Sequence, residues 1–361
     1  MGIVAYKMVE DESNPEEPQI NTPLEQDPQE NVEPEQVNHH TKTASGQQLY
    51  AAVNGGYNFC FLNSGMAGML SNPAVHSVLR QSSEEGSPME QCLHRFCRLK
   101  TTFLDTAKWK RLVIDQSTRV TNVFFNGKDK KSGDRIDWYQ PDQQDVAEFL
   151  SGFLETLLEG RDRYDILGEL VERAPLSTEI RQALDDAIGF KIGATRRCLG
   201  CNHKHREPQR EMKILQLTVD PTDRRNQNAS YKMHINGCLK AASEEVDNLG
   251  EKMMCSNCNK NCVYNTQTTL TDPKSCVIIQ LMRFQSTVSK TGQAVLKIND
   301  EVEVDEVLDQ GPLNGYVLTG GILHRGHSVN SGHYRHILRD VETGQFWLTD
   351  DAAEPKRLNW K

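Results

Sequence analysis

Asn58-Phe59-Cys60-Phe61-Leu62-Asn63-Ser64-Gly65-Met66-Ala67-Gly68-Met69-Leu70-Ser71-Asn72-Pro73 is the stretch on which the fold turns. Phe61, Leu62, Met66, Met69 and Leu70 recur at helical spacing, so a helix begins near Cys60, and Ser71-Asn72-Pro73 stops it. A cysteine at a helix start lies beside unpaired backbone N–H groups and the positive end of the helix dipole. Both lower a thiol's pKa toward the thiolate, which is the nucleophilic form. A helical cysteine is also ordinary packing material. The chemical reading therefore needs a base and an orienting partner, which can stand far away in the chain.

Working outward, Phe149, Leu150, Phe153, Leu154, Leu157 and Leu158 form one apolar stripe. Pro141-Asp142 stands at its start and Gly160 after its end, the pattern of a second helix. From Met212 onward strands dominate: Ile214, Leu215, Leu217 and Val219, then Cys276 to Leu281, Val302 to Val307, and Tyr316 to Leu323. Helices early and strands late predict an α+β architecture, not alternating βαβ units.

The candidate base lies in Ser328-Val329-Asn330-Ser331-Gly332-His333-Tyr334, where His333 enters a strand ending near Leu338. Gly332 lets backbone approach a substrate closely. Downstream, Phe346-Trp347-Leu348-Thr349 runs into Asp350 and Asp351. A carboxylate on one imidazole nitrogen fixes the tautomer and supports the imidazolium, although paired Asp at a strand end is also common turn chemistry.

Cys198-Leu199-Gly200-Cys201 and Cys255-Ser256-Asn257-Cys258 are two Cys-x-x-Cys pairs. Four thiolates at paired spacing suit a closed tetrahedral zinc site, which is structural and has no open catalytic position. A redox dithiol is the rival, but no thioredoxin-like βαβ unit accompanies either pair. Cys262 is near enough in sequence to compete as a ligand. His203 and His205 read as a solvated hairpin tip. Cys92, Cys97, Cys238 and Cys276, with His76, His94, His234, His327 and His336, read as packing or surface groups.

The 361 residues allow one large domain or two modest ones, and the 37% hydrophobic share is low for a fully packed chain. Of the net charge of −9, the first 50 residues hold −8, with ten Asp or Glu against two Lys. Glu10 to His40 is rich in Glu, Gln, Pro and Asn, so residues 1–45 are expected to be a disordered acidic tail. The near-neutral remainder argues against nucleic acid as a partner. Nothing approaches the ~18 apolar residues of a membrane helix. The start lacks a signal-peptide core, and Tyr6 stands where a myristoylation motif needs Ser or Thr. A reduced compartment, cytoplasm or nucleus, is the expectation.

Several blocks, in order, carry a resemblance. Asn58-Phe59-Cys60-Phe61-Leu62-Asn63-Ser64 resembles the cysteine box of the ubiquitin-specific proteases, and Gln143-Gln144-Asp145-Val146-Ala147-Glu148-Phe149-Leu150 resembles their Q-Q-D-A-x-E-F-L block. Leu281-Met282-Arg283-Phe284 is similar to their L-K-R-F strand. His324-Arg325-Gly326 and Gly332-His333-Tyr334 are similar to their H-x-G and G-H-Y. The resemblance implies a papain-like core of thumb and palm with zinc-tipped fingers, over residues 46–361, the zinc ribbon being inserted at about 190–275. It implies a thiol-dependent deubiquitinase acting after the C-terminal glycine of ubiquitin, with Cys60 as nucleophile, His333 as base and Asp350 as third member. Asn54, Asn58 and Asp351 become oxyanion or supporting residues, and Gln144, Asp145, His324 and Gly332 substrate contacts. Cys198, Cys201, Cys255 and Cys258 become ligands of a structural Zn²⁺, in a monomer whose partner is ubiquitin or ubiquitinated protein.

The box departs from the family pattern in three places. Gly55 stands where the family usually has the Asn that holds the oxyanion, with Asn54 adjacent. Tyr57 and Phe59 replace the usual Gly and Thr. Losing one oxyanion donor costs roughly 10²–10³ in turnover. A ubiquitin-binding pseudoprotease of the same fold is therefore the alternative, and a zinc-ribbon nucleic-acid binder a more distant one.

Overall fold

The computed structural model describes residues 2–8, 60–98, 145–159, 163–164, 170–172, 176–219, 233–247, 252–289, 292–298, 301–328, 331–340, 342–351 and 353–359. Its centre is a seven-stranded sheet. The spatial order is Lys356–Leu358, Phe346–Thr349, Ser331–Arg339, Tyr316–Ser328, Gly2–Met8, Cys276–Met282 and Ile214–Thr218. The last pair is parallel and the other pairs are antiparallel.

Cys276-Val277-Ile278-Ile279-Gln280-Leu281-Met282 shows why the sheet is covered on both faces. Its apolar run is nearly continuous, as expected of a strand buried on two sides. Successive side chains alternate: Cys276 and Ile278 join one core, and Val277, Ile279 and Leu281 the other. The first core receives the helices Cys60–Ser71, Pro73–Leu79, Pro88–Arg98, Val146–Glu159 and Thr178–Ala187. The second gathers Ile235 and Cys238 of the helix Ile235–Ser243 with Leu318, Ile337 and Phe346. Helices gathered mainly in the first half of the chain and strands mainly in the second, with Gly2–Met8 an exception among the strands, give the expected α+β fold.

The Cys60–Ser71 helix is buried at every position except Gly68. A side chain on Gly68 would stand 3.3 Å from Ile322, so this helix lies close on the sheet. The expected stop is a corner between two helices. Asn72 caps the next one, its Oδ1 accepting from the Ala74 and Val75 N–H groups at 3.1 and 3.3 Å, with Pro73 at the first helical position. The second expected helix begins at Val146 instead of near Pro141-Asp142. Asp145 is its cap, with Oδ1 accepting from Ala147 N–H at 2.7 Å.

The expected acidic tail contains one described piece, and that piece is a strand. Gly2–Met8 lies between Cys276–Met282 and Tyr316–Ser328, with Ile3 opposite both Gln280 and Ile322. Gly-Ile-Val-Ala-Tyr has the β-branched and aromatic character of a strand. Its partners lie in the last third of the chain, beyond the reach of local patterning. The rest of the expected tail lies outside the described residues.

A separate ribbon projects from this body. Phe190–Cys198 pairs antiparallel with Tyr264–Thr271 from Lys191 to Cys198. Lys204–Arg206, Arg210–Met212 and Glu245–Asp247 flank the pair. Its far end has its own small core of Cys198, Cys255 and Tyr264.

Candidate active site

Cys60 opens its helix, 2% exposed, and that helix packs against the Ser331–Arg339 strand. His333 is near the start of this strand. Its Nε2 lies 2.5 Å from Asp350 Oδ1, just past the end of the neighbouring strand Phe346–Thr349. With Asp350 on Nε2, the neutral imidazole carries its proton there, and Nδ1 is the basic nitrogen. Asp350 Oδ2 lies 2.8 Å from Arg335 Nε, so one carboxylate spans two side chains of the same strand face. Arg335 escaped the sequence reading, although its spacing of two from His333 placed it on that face. Asp351 Oδ2 stands 3.9 Å from His333 Nε2, and Asp351 Oδ1 accepts from Asn63 Nδ2 at 2.8 Å. The ligand atoms of His333, Asp350 and Asp351 lie within 4.8 Å of one another. The Arg335 cation beside Asp350 opposes a metal ion there.

Tyr334 joins this group to the second helix. It is 2% exposed, and its phenol is raised first by burial and then by the charges of Asp145 and Cys60. Burial likewise pushes the Asp145 carboxyl up, against the pull of the Ala147 and Glu148 N–H groups. Beyond Asp145 a groove of about 760 Å³ opens. Asp145, Glu148 and Glu155 line one side, and Asp185, Glu211 and Lys213 the other. Five carboxylates against one lysine make it acidic.

Two residues expected to meet substrate are engaged with each other. His324 packs against Tyr334 with ring centroids 4.6 Å apart and the planes tilted by 41°, and its Nδ1 lies 3.2 Å from Lys297 Nζ. Burial, aided by Lys297, lowers its pKa to about 4, so the ring is neutral. Gly332 has φ +150°, and a Cβ there would stand 2.4 Å from His324 Nε2 and 2.5 Å from Arg325 O. The glycine thus makes room for a histidine of its own sheet, where the sequence reading gave that room to substrate backbone. Asn54, Asn58 and Gln144 lie outside the described residues.

At the ribbon tip the four expected cysteines meet: the sulphurs of Cys198, Cys201, Cys255 and Cys258 lie within 4.8 Å of one another and could hold a metal ion. Two copies of one turn bring them there. Cys198 N–H donates to His203 O at 2.9 Å and Asn202 N–H to Cys198 O at 2.8 Å. Cys255 N–H donates to Lys260 O at 2.9 Å and Asn259 N–H to Cys255 O at 2.8 Å. Asn202 and Asn259 occupy the left-handed region at φ 59° and 53°, which Asn tolerates better than most residues.

The turns aim N–H groups at sulphur. The Tyr264 hydroxyl first, then the Cys258 and Asn257 N–H groups, pull Cys255 down to about 5. At Cys198 burial pushes up, but the Gly200 and Cys201 N–H groups and the Cys262 thiol outweigh it. Cys258 is raised to about 12, by burial first and then by neighbouring sulphurs. Four such sulphurs cannot all ionise without a cation between them, so the donor set fits a soft divalent metal.

A helical layer over a twisted sheet, with a four-cysteine ribbon standing off it, defines the catalytic-domain architecture of the ubiquitin-specific proteases. The family profile for ubiquitin carboxyl-terminal hydrolase (UCH) matches residues 52–356, and the chain belongs to that family. It is similar to ubiquitin carboxyl-terminal hydrolase 20 of Arabidopsis thaliana, at 23% identity over 242 residues, and spans 63% of this chain but 30% of that relative. Among solved structures it is similar to a SAGA DUB module of Ubp8, Sgf11, Sus1 and Sgf73 bound to monoubiquitin. That TM-score is 0.62 at 18% identity, covering 86% of this chain and 65% of the other. The same module bound to ubiquitin aldehyde gives 0.59 at 17%, covering 86% and 66%.

Proposed function

We propose that this chain is a cysteine-type deubiquitinase that cuts after the C-terminal glycine of ubiquitin. The observation that carries the reading is the His333 Nε2–Asp350 Oδ1 hydrogen bond, on a strand packed against the helix that Cys60 begins. Family membership and the likeness to modules described as bound to ubiquitin supply the substrate class.

Cys60 Sγ loses its proton to His333 Nδ1 and attacks the glycine carbonyl. His333 then protonates the departing amine, leaving a thioester on Cys60. Water gives a proton to the same nitrogen, attacks the thioester carbonyl, and frees ubiquitin and the thiol. Asp350 keeps the ring in the tautomer with Nδ1 basic and stabilises the imidazolium, as Arg335 holds the carboxylate from its other side. The oxyanion falls to N–H groups at the start of the cysteine helix, with Asn54 and Asn58 as side-chain donors. Asp145, His324 and Gly332 are assigned to the binding of ubiquitin's tail, with Gln144 joining them from the family motif alone, and the acidic groove beside Asp145 suits a basic stretch of substrate.

Cys198, Cys201, Cys255 and Cys258 hold one Zn²⁺, which stiffens the fingertip and takes no part in the chemistry. Reduced thiols at both sites suit the cytoplasm or nucleus.

The test is a fluorogenic ubiquitin C-terminal amide, beside a ubiquitin carrying a C-terminal electrophile. Cys60→Ala and His333→Ala should abolish hydrolysis and keep ubiquitin binding, and Cys60 should be the labelled residue. Retained hydrolysis in Cys60→Ala overturns the assignment. Gly55 favours one second reading, a ubiquitin binder without turnover; labelling of Cys60 with no hydrolysis, restored by Gly55→Asn, would establish it.

A further inference from the structure

The fingertip holds five sulphurs, one more than a tetrahedral metal uses. Cys262 Sγ lies 3.7 Å from Cys258 Sγ and within hydrogen-bonding reach of Cys198. The fold makes room for it. Gly200, inside the first Cys-x-x-Cys turn, is where a Cβ would stand 2.8 Å from Cys262 Sγ, closer than such contacts occur. Cys262 ends the short strand Asn261–Cys262, paired across the hairpin with Met253, so its backbone is anchored on the same loop as Cys255 and Cys258. It is partly buried against the cysteine core. Two independent placements, an anchored strand and a vacated Cβ, thus bring a fifth thiol against a ligand that a metal would need.

We propose that Cys262 is an oxidant-sensitive trigger of the fingertip: under peroxide it forms a disulfide with Cys258 and expels the metal. The sulphur of Cys258 attacks the peroxide O–O bond, gaining an oxygen as the sulphenic acid and releasing one water. Cys262 then displaces that oxygen as a second water, and the S–S bond forms. Two thiols are oxidised by two electrons and one peroxide is reduced to two waters. The metal loses the Cys258 ligand, and three thiolates hold it less tightly than four. A dithiol reductant reverses the bond and restores the site.

The inference rests on the zinc reading of the four cysteines, and the experiment separates the two. Metal content of the full chain is measured first: no zinc in correctly folded protein defeats the zinc reading itself. Zinc-loaded wild type, Cys262→Ser and Gly200→Ala are then exposed to hydrogen peroxide, with release followed by a metallochromic dye and thiol pairing by peptide mass spectrometry. The wild type should release zinc as a Cys258–Cys262 disulfide accumulates. Cys262→Ser should load zinc normally and release it roughly tenfold more slowly, since the sulphurs left beside the Cys258 sulphenic acid are those engaged by the metal. Gly200→Ala, which displaces the Cys262 sulphur, should also slow release. Equal release rates, Cys262 found unpaired after release, or a Cys262→Ser protein that holds no zinc would each overturn it.

Discussion

Asn63 Nδ2 donates to Asp351 Oδ1 at 2.8 Å, joining the first turn of the cysteine helix to the turn that follows Asp350. The two residues are 288 positions apart in the chain. Asp351 holds the left-handed conformation, φ 47°, and its side chain is 14% exposed. Through this bond the element carrying Cys60 and the loop carrying the His333 partner are fixed to each other. We propose that Asp351 acts through this bond as a positioning residue.

Breaking that bond should loosen the catalytic geometry without removing a reacting group. A hydrogen bond to a charged group is worth about 1.5–3 kcal/mol, so Asn63→Ala or Asp351→Ala should each lower turnover about ten- to a hundredfold. KM should move little. The double variant should be scarcely worse than the worse single one, because both lose the same interaction. Additive losses in the kinetic cycle would show that the two residues act separately.

Gly332 offers a second test of positioning. Gly332→Ala would drive a methyl group into His324 Nε2 and Arg325 O, in a backbone conformation that L residues resist. The strand must shift one residue before His333, and a displacement of about 1 Å at a catalytic group can cost roughly 10² in rate. Adding His324→Ala removes one of the two clashes, so the double variant should recover part of the turnover. A fully active Gly332→Ala would mean the strand edges part freely.

Much of this arrangement was legible locally, and what was missed has one physical cause. The cysteine helix, the Cys276 strand and the two Cys-x-x-Cys turns are written in short-range periodicity and spacing, and they form where expected. The Gly2–Met8 strand is defined by partners at the other end of the chain. Arg335 and Lys297 matter through what the sheet places beside them. The second helix starts at Val146 behind an Asp145 cap, and Val146 is fully buried, a placement that the local motif does not specify. His336, read as ordinary packing, is a buried group whose neutrality has consequences.

His336 is 2% exposed, with Nε2 3.3 Å from Ser71 Oγ and Nδ1 3.3 Å from Thr349 Oγ1. Burial lowers its pKa from 6.5 to about 3. The unfolded chain therefore takes up this proton first as pH falls. The contribution of the neutral ring is whole above pH 6.5 and is lost between 6.5 and about 3, at about 1.4 kcal/mol per unit well inside that window. Urea midpoints measured from pH 7 to 4.5 should fall more steeply for wild type than for His336→Gln. His324, lowered to about 4, acts in the same direction in both proteins and cancels from the comparison. Parallel curves would mean that His336 takes up its proton as readily in the folded chain as in the unfolded one.

If the four cysteines hold the proposed zinc, removing it should undo the fingertip and spare the rest. Cys198, Cys255 and Tyr264 form a core of their own, apart from the two larger cores that flank the sheet. So small a cluster cannot offset the ordering of two loops by burial alone. Its stability should come from metal–thiolate bonds, as structural zinc sites add their binding energy to folding. Strong chelator, or Cys255→Ser, should therefore open the segments around 198–206 and 253–262 to protease while helix content changes little. On the proposed reading, in which the ribbon contacts ubiquitin, activity on a small C-terminal amide of ubiquitin should fall mainly through KM, because Cys60 and His333 sit on the undisturbed helix and sheet. The decisive measurement is the order of events under graded chelator. Fingertip cleavage at concentrations that leave the main thermal transition in place supports a locally metal-folded tip. Loss of the whole domain in one cooperative step would mean that the ribbon and the body fold as a single unit.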